Sequence, residues 1–478
     1  MRNRALWTFL VTSFVLFMVQ LDNLVVAIAL PTIKHELNAS LEALEWTVNA
    51  YTLVFAVLLL TGAAIGDRFG RKRVFLGGLV LFTAASAAAA MSTSAGELVA
   101  ARAAQGLGAA VLTPLTLTLL SAAVSPERRA LALGAWGAVG GLGIAIGPVV
   151  GGAVVAGASW QWIFWVNVPI GILLLPAGAI WLRESRGATR PLDLVGTALA
   201  SAGLFAIVLG LVESGAWGWT SARIIGLFAV GAVLFGLFLV WESRTPHPML
   251  PLRLFRSRAF ALINVTALML HFGLFGSIFL LAQFFQVAQG KSALEAGLLT
   301  LPWTAVPAVV APVAAGLAKR FGGHRIIAAG MFFQALGLAW LALVSTPTVP
   351  YTELLLPFFT CGLGLGLFFA PIANLVLSTV DRTEEGIASG TNNAIRQIGG
   401  VFGVAVLASI FAHNGSYTSP QSFADGSIPA VWVGAAVVAA GVVTALLIRP
   451  LRKRPVPPAR SDRTLETRND DDHHAHPR

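Results

Sequence analysis

Cysteine is almost missing from this chain of 478 residues: Cys361 stands alone, which excludes any intrachain disulfide. Charge is nearly as scarce, with Asp, Glu, Lys and Arg at 11% of positions and hydrophobic residues at 56%. An ordinary soluble domain carries about 25% charged residues. The longest polar segment is the tail after Arg449, so no separate soluble domain fits. Sequences of the HExxH, CxxC, GxxxxGK[ST] and GxSxG types do not occur in a usable setting. The chain therefore shows no means of hydrolysing ATP, and any pumping must draw on an ion gradient. No enzyme activity, cofactor or metal is expected.

What the chain has instead is apolar runs of about 20 residues, the length that crosses a bilayer. Fourteen occur: 7–30, 46–66, 74–92, 97–121, 132–156, 162–182, 193–212, 223–241, 259–287, 294–317, 326–345, 354–379, 388–412 and 428–448. The expected fold is an all-α membrane protein with fourteen transmembrane helices. The first run is too long for a removable signal peptide and lacks its small-residue cleavage site, so it reads as a retained span. An even number of spans puts both termini on one side.

Lys and Arg set the orientation. With the N-terminus cytoplasmic, inner loops and tails hold 27 of the 32 basic residues. The outer loops hold only Lys34, Arg223 and Lys291, and the spans hold Arg102 and Arg396. This is a positive-inside distribution, expected for the inner membrane with both termini cytoplasmic. The net charge of +10 is scattered over short loops that face anionic lipid, which argues against a nucleic-acid partner. Arg449–Arg454 is expected to anchor the last span, and the tail beyond it to be disordered. Its His473, His474 and His476 read as solvated, not as a metal site.

Two loops echo one another. Ala63-Ala64-Ile65-Gly66-Asp67-Arg68-Phe69-Gly70-Arg71-Lys72-Arg73 follows the second span, and Ala315-Gly316-Leu317-Ala318-Lys319-Arg320-Phe321-Gly322-Gly323-His324-Arg325 follows the tenth. Halves repeated about an axis along the membrane normal are a known transporter architecture. The expected organisation is a six-helix half over 1–183, an inserted pair with linkers over 184–258, a second six-helix half over 259–450 and a tail over 451–478.

The polar residues inside spans carry the chemistry. Asp22 is a lone carboxylate in the first run, and such a group costs about 2.5–3.5 kcal/mol at membrane depth, so it usually has a task. Arg102 in the fourth span must find a partner or a cavity for the same reason, and Asp22 is the acid available to couple with it. Gln105 and the small residues after it let a neighbouring helix approach. In the fifth span Gly143, Gly147 and Gly151 recur every four residues on one face, with Pro148 and Gly152 beside them. That series is a close-approach surface with a built-in bend. The loop of Gly66, Asp67, Arg68, Gly70, Arg71 and Lys72 either anchors the inner surface or acts as a charge latch as the halves rock, and its echo favours the latch.

These motifs together resemble the fourteen-spanner drug/proton antiporters of the major facilitator superfamily. The resemblance covers nearly all of the chain to about residue 450. It rests on Leu21-Asp22…Ala29-Leu30-Pro31-Thr32-Ile33, Glu45-Trp46-Thr47-Val48-Asn49-Ala50-Tyr51, Asp67–Arg73, Arg102–Gly108, Gly147-Pro148-Val-Val-Gly151-Gly152, Trp160-Gln161-Trp162-Ile163-Phe164…Asn167-Val168-Pro169 and Arg396-Gln397-Ile-Gly399-Gly400. Ala63, Gln161 and Asn23 depart from the usual pattern, and Asn23 beside the key acid leaves the substrate range open. The resemblance implies a proton-coupled antiporter that exports amphipathic drugs or antibiotics. A transporter dedicated to one endogenous metabolite is the alternative on the same fold. Asp22 and Arg102 would couple protons, and Gly143, Gly147, Pro148, Gly151 and Gly152 would form the antiporter motif. Partners would be protons, a small amphipathic organic substrate and membrane lipid, with the protein a monomer. Expected cavity residues are Phe17, Met18, Asn49, Gln105, Gln283, Gln286, Trp303, Asn393, Arg396 and Gln397. His271 reads as a satisfied core histidine rather than a titrating one.

Overall fold

A computed structural model describes residues 2–187, 191–381 and 384–448. The anchor Arg449–Arg454 and the tail histidines lie outside the described residues. Among the described residues fourteen helices are long and apolar enough to cross a membrane. Spans 1 to 6 are Arg4–Glu36, Leu41–Phe69, Arg71–Ala90, Ala95–Ala123, Leu131–Gly157 and Trp162–Trp181. Spans 7 and 8 are Leu194–Val212 and Ala222–Arg244. Spans 9 to 14 are Arg258–Val287, Ala293–Phe321, Gly323–Val344, Tyr351–Ser378, Glu385–Asn414 and Pro420–Leu446. The number agrees with the apolar runs in the sequence.

Most helices outrun their apolar cores because polar residues cap them. Ser40, Ser94, Ser221, Ser257, Ser292 and Ser419 each accept a first-turn backbone N–H, and Glu295 completes a capping box with Ser292. Two spans are broken in ways hydropathy does not reveal. Span 6 opens with the short helix Trp162–Trp165 before Asn167–Trp181. Span 10 is interrupted at Thr300, between Ala293–Leu299 and Leu301–Phe321.

The packing repeats. Span 1 lies on span 5, span 2 on span 4 and span 3 on span 4; likewise span 9 lies on 13, span 10 on 12 and span 11 on 12. Between the halves, span 2 meets span 13 and span 5 meets span 10, two contacts that the same repeat interchanges. The loops echo at the level of backbone: Gly70 (φ 110°) and Gly322 (φ 91°) both take the left-handed conformation that favours glycine. Arg68 covers the Phe69 ring at 5.4 Å and Arg320 covers Phe321 at 5.2 Å. Spans 7 and 8 pack on each other, and span 7 also lies against spans 2 and 13. The inserted pair therefore covers one seam between the halves and leaves the other without a counterpart.

Candidate functional site

Asp22 sits at mid-length of span 1, fully buried, and its carboxylate is filled with donors from two other spans. Arg102 of span 4 pairs with Oδ2. Oδ1 accepts from Gln105 Nε2 at 3.2 Å and from Asn167 Nδ2 at 2.9 Å. The donors are themselves held in place. Arg102 donates from Nε to the Thr47 carbonyl at 3.1 Å and from a terminal amine to Gln105 Oε1 at 2.9 Å. Its guanidinium lies over the Tyr51 ring at 4.3 Å. Gln105 Nε2 also reaches Ser86 Oγ at 2.8 Å. Asn167 stands at the start of the second helix of span 6. Arg102 is 1% exposed, so the pair is neutralised inside the first half, away from solvent. Removing one partner of such a pair strands the other charge at a cost of about 3–5 kcal/mol.

The glycine series divides its work. A Cβ on Gly143 would stand 2.9 Å from the Phe17 carbonyl, one on Gly147 3.2 Å from Leu24 Cβ, and one on Gly151 2.9 Å from the Val25 carbonyl. These three let span 5 lie flush on the segment of span 1 around Asp22. Gly152 faces the other way, onto the Ala293–Leu294 backbone of span 10, and Gly297 of span 10 meets the Pro148 carbonyl. Other contacts close the same end of the molecule: Gln286 Nε2 donates to the Ile28 carbonyl at 2.9 Å, and Lys34 stands over the Tyr417 ring at 4.9 Å. Tyr417 donates to Gln283 Oε1 at 2.6 Å. Burial and the nearby Glu45 carboxylate push the Tyr417 phenol up, which keeps it a donor. Further along span 5, Gly134, Gly137 and Gly141 meet nothing. The halves are thus shut at the end that carries few basic residues.

The second half holds a different arrangement. His271 of span 9 is buried, with Nδ1 bonded to the Ala267 carbonyl at 2.8 Å. Nδ1 must then carry the proton, which leaves Nε2 to accept from Arg396 Nε at 3.0 Å. The Arg396 guanidinium also lies 5.1 Å from the Phe369 ring centroid. Among the described residues no carboxylate pairs with it.

The loop after span 2 is tied within the first half. Asp67 pairs with Arg71 of the same loop at 2.7 Å. Glu184, after span 6, accepts from the Lys72 and Arg73 backbone N–H groups at 3.0 and 3.2 Å. Gly70 lies directly against that carboxylate, and its positive φ is what favours glycine there. Lys72 donates to the Ala179 carbonyl, and Gly66 packs on Leu115. Among the described residues, no partner of Asp67, Arg71 or Lys72 belongs to the second half. The ion pair that does reach the second half at this end joins Arg253, in the linker after span 8, to Glu384.

A sequence profile described as Major Facilitator Superfamily matches residues 12–404. The chain belongs to that superfamily. It is 34% identical over 434 residues to the tetracenomycin C resistance and export protein of Streptomyces glaucescens, covering 90% of this chain and 80% of the relative. It is 37% identical to a cephamycin export protein of Amycolatopsis lactamdurans, covering 92% of each chain. The multidrug resistance protein Stp of Mycobacterium tuberculosis is 36% identical over 86% of this chain and 77% of its own. Among solved structures, the nucleoside transporter NupG superposes with a TM-score of 0.66 at 12% identity over 93% of this chain and all of the other, a likeness of fold alone. The protein is a multi-pass membrane transporter of the major facilitator type, and its relatives are transporters rather than enzymes.

Within the superfamily fold, the expected cavity residues scatter. Gln105 belongs to the Asp22 cluster. Met18 is buried in the core of the first half with Phe55 and Phe82, and so lines no cavity in this conformation. Phe17 is half-buried against Gly143. Trp303 lines a narrow apolar cleft between the halves with Leu24, Pro148 and Ile278, its indole N–H unpartnered. Gln283 and Gln286 belong to the shut end. Asn49 is buried with neither amide atom bonded. Asn393, Arg396 and Gln397 share one face of span 13 (i, i+3, i+4). A cavity of about 410 Å³ lined by Gln289, Lys291, Glu295 and Tyr351 lies off this set, within the second half near the shut end.

Sequence reasoning passes over four members of these sites. Asn167 and Thr47 are legible only as motif residues, and Ser86 looks like an ordinary small polar residue. Glu45 is the fourth: Asp22 is not the sole deeply buried acid, because Glu45 in span 2 is 1% exposed with one carboxylate oxygen unpartnered. Its nearness to a span end hides it, since span 2 begins at Leu41.

Proposed function

We propose that this protein is a proton-coupled antiporter that exports amphipathic drugs or antibiotics across the cytoplasmic membrane, working as a monomer in the inner membrane with both termini cytoplasmic. The observation that carries the reading is the dry Asp22–Arg102 pair in a half whose only other ligands to that acid are neutral amides. The relatives named as resistance and export proteins support the direction and the substrate class.

Asp22 takes a proton from outside and loses the charge that holds Arg102. Gln105 and Asn167 then rearrange around a neutral acid, and span 4 is free to move against span 1. Because span 1 lies flush on the Gly143–Gly151 face of span 5, that movement reaches the seam where Gly152 and Gly297 close the halves. With basic loops cytoplasmic, closure at the other end describes an inward-facing state, in which the proton leaves and drug binds. The driving force is about 2.3 kcal/mol per charge per 100 mV, with about 1.4 kcal/mol more per pH unit.

The test is everted vesicles with an imposed pH gradient and a fluorescent substrate. Asp22→Asn keeps the shape but cannot release a proton, and uphill pumping should vanish while insertion persists. Wild-type uphill pumping by that variant would make Asp22 a structural residue and sink the mechanism.

A further inference from the structure

Arg396 is the polar group that the coupling mechanism leaves unused. Its position is costly: a guanidinium at the middle of span 13, without a carboxylate among the described residues, needs water or an anion. Only Nε is engaged, with His271. Among the described residues the two terminal amines have no protein partner, and they are accessible rather than sealed in the packing. His271 cannot neutralise the charge. Its Nδ1 proton is committed to the Ala267 carbonyl, which makes Nε2 a fixed acceptor that aims the planar fork. The walls are aromatic: Phe369 flanks the guanidinium, and Phe275, Phe368 and Phe369 surround the imidazole. One turn before Arg396, Asn393 is half-buried and, among the described residues, free of protein hydrogen bonds, and Gln397 lies one position beyond. In the first half, by contrast, Asp22 and Arg102 cancel. The two mid-depth sites together therefore present one net positive charge.

We propose that Arg396 is the anchor for an anionic group of the exported compound, a carboxylate or an acidic hydroxyl on an aromatic frame, and that His271 positions it. A planar guanidinium fork matches an oxyanion in two hydrogen bonds. The phenyl rings take the apolar frame, and Asn393 supplies a further donor or acceptor. A cationic amphiphile meets only repulsion there. This specifies the substrate of the export reading and rests on it.

The test compares wild type, Arg396→Gln and Arg396→Lys in two assays. In everted vesicles the probes are fluorescein (anionic), Nile red (uncharged) and ethidium (cationic). With purified protein, thermal stabilisation is measured with 2-naphthoate, 2-naphthamide and sodium chloride at matched ionic strength. Fluorescein pumping should fall at least tenfold in Arg396→Gln and partly recover in Arg396→Lys, while Nile red pumping holds. Naphthoate should stabilise wild type more than naphthamide does, and Arg396→Gln should erase the difference. Equal stabilisation by chloride marks a plain counter-ion site and overturns the proposal. So does preferential pumping of ethidium, or loss of all three dyes alike in Arg396→Gln. If wild type pumps no dye yet still prefers naphthoate, the drug-export reading fails alone; pumping without preference for the anion sinks this inference alone.

Discussion

Charge pairing and transport can be separated at Asp22 and Arg102 by three variants: Asp22→Asn, Arg102→Gln and the double substitution. Each single change leaves one full charge buried in a site that is 0–1% exposed, among groups already committed to one another. Stranding that charge should cost about 3–5 kcal/mol. In Asp22→Asn the new amide also turns an N–H toward donors of Gln105 and Asn167, adding strain of the same sign. The double variant carries no charge, keeps amides of similar volume at both positions, and leaves Thr47, Ser86 and Asn167 their bonding options. Its destabilisation should stay below about 2 kcal/mol, because replacing a buried pair outright is often close to neutral. The coupling energy, the double-variant cost minus the two single costs, should then reach about 4 kcal/mol or more in magnitude, above the usual range of about 0.5–3 kcal/mol. Thermal midpoints in detergent measure the first quantity, and pH-driven efflux in everted vesicles the second. The double variant should be the most stable of the three, and none should pump. A double variant destabilised by the sum of the two single changes would show that the charges are not coupled. Recovery of efflux along with stability would make the pair a structural element and refute its role with protons.

Two further predictions concern orientation and the seam. Cys361 is buried and silent to aqueous reagents, so Arg73→Cys should resist an impermeant maleimide in intact cells while Lys291→Cys reacts; labelling at 73 from outside would invert the topology. Gly152→Leu should abolish efflux without preventing insertion, because its side chain has no room against the Ala293–Leu294 backbone, and Gly147→Leu or Pro148→Ala should weaken it. Gly141→Leu, whose Cβ meets nothing, should pump normally; a loss equal to that of Gly152→Leu would show that helix propensity, not the seam, is being read.

Much of this protein follows from one-dimensional constraints. A bilayer demands about 20 apolar residues per crossing and internal satisfaction of every backbone polar group, so span number, helical class and the 27-to-3 bias of Lys and Arg are written in the order of residues. The cost of an ion in hydrocarbon singles out Asp22, Arg102 and Arg396 in the same way, and a fourfold spacing of glycines declares a packing face. What a linear pattern cannot contain is which faces meet. Gly151 and Gly152 are neighbours in sequence, yet one packs on span 1 and the other across the seam, because successive residues point about 100° apart on a helix. Asn167 reaches Asp22 from 145 residues away, and Glu45, close to the start of span 2, is buried by the fold. His271 and Arg396 lie 125 residues apart. Hydropathy decides which segments enter the membrane; the arrangement of helices once inside decides which of their few charges are neutralised, and Arg102 finds a carboxylate where Arg396, among the described residues, finds only the His271 imidazole.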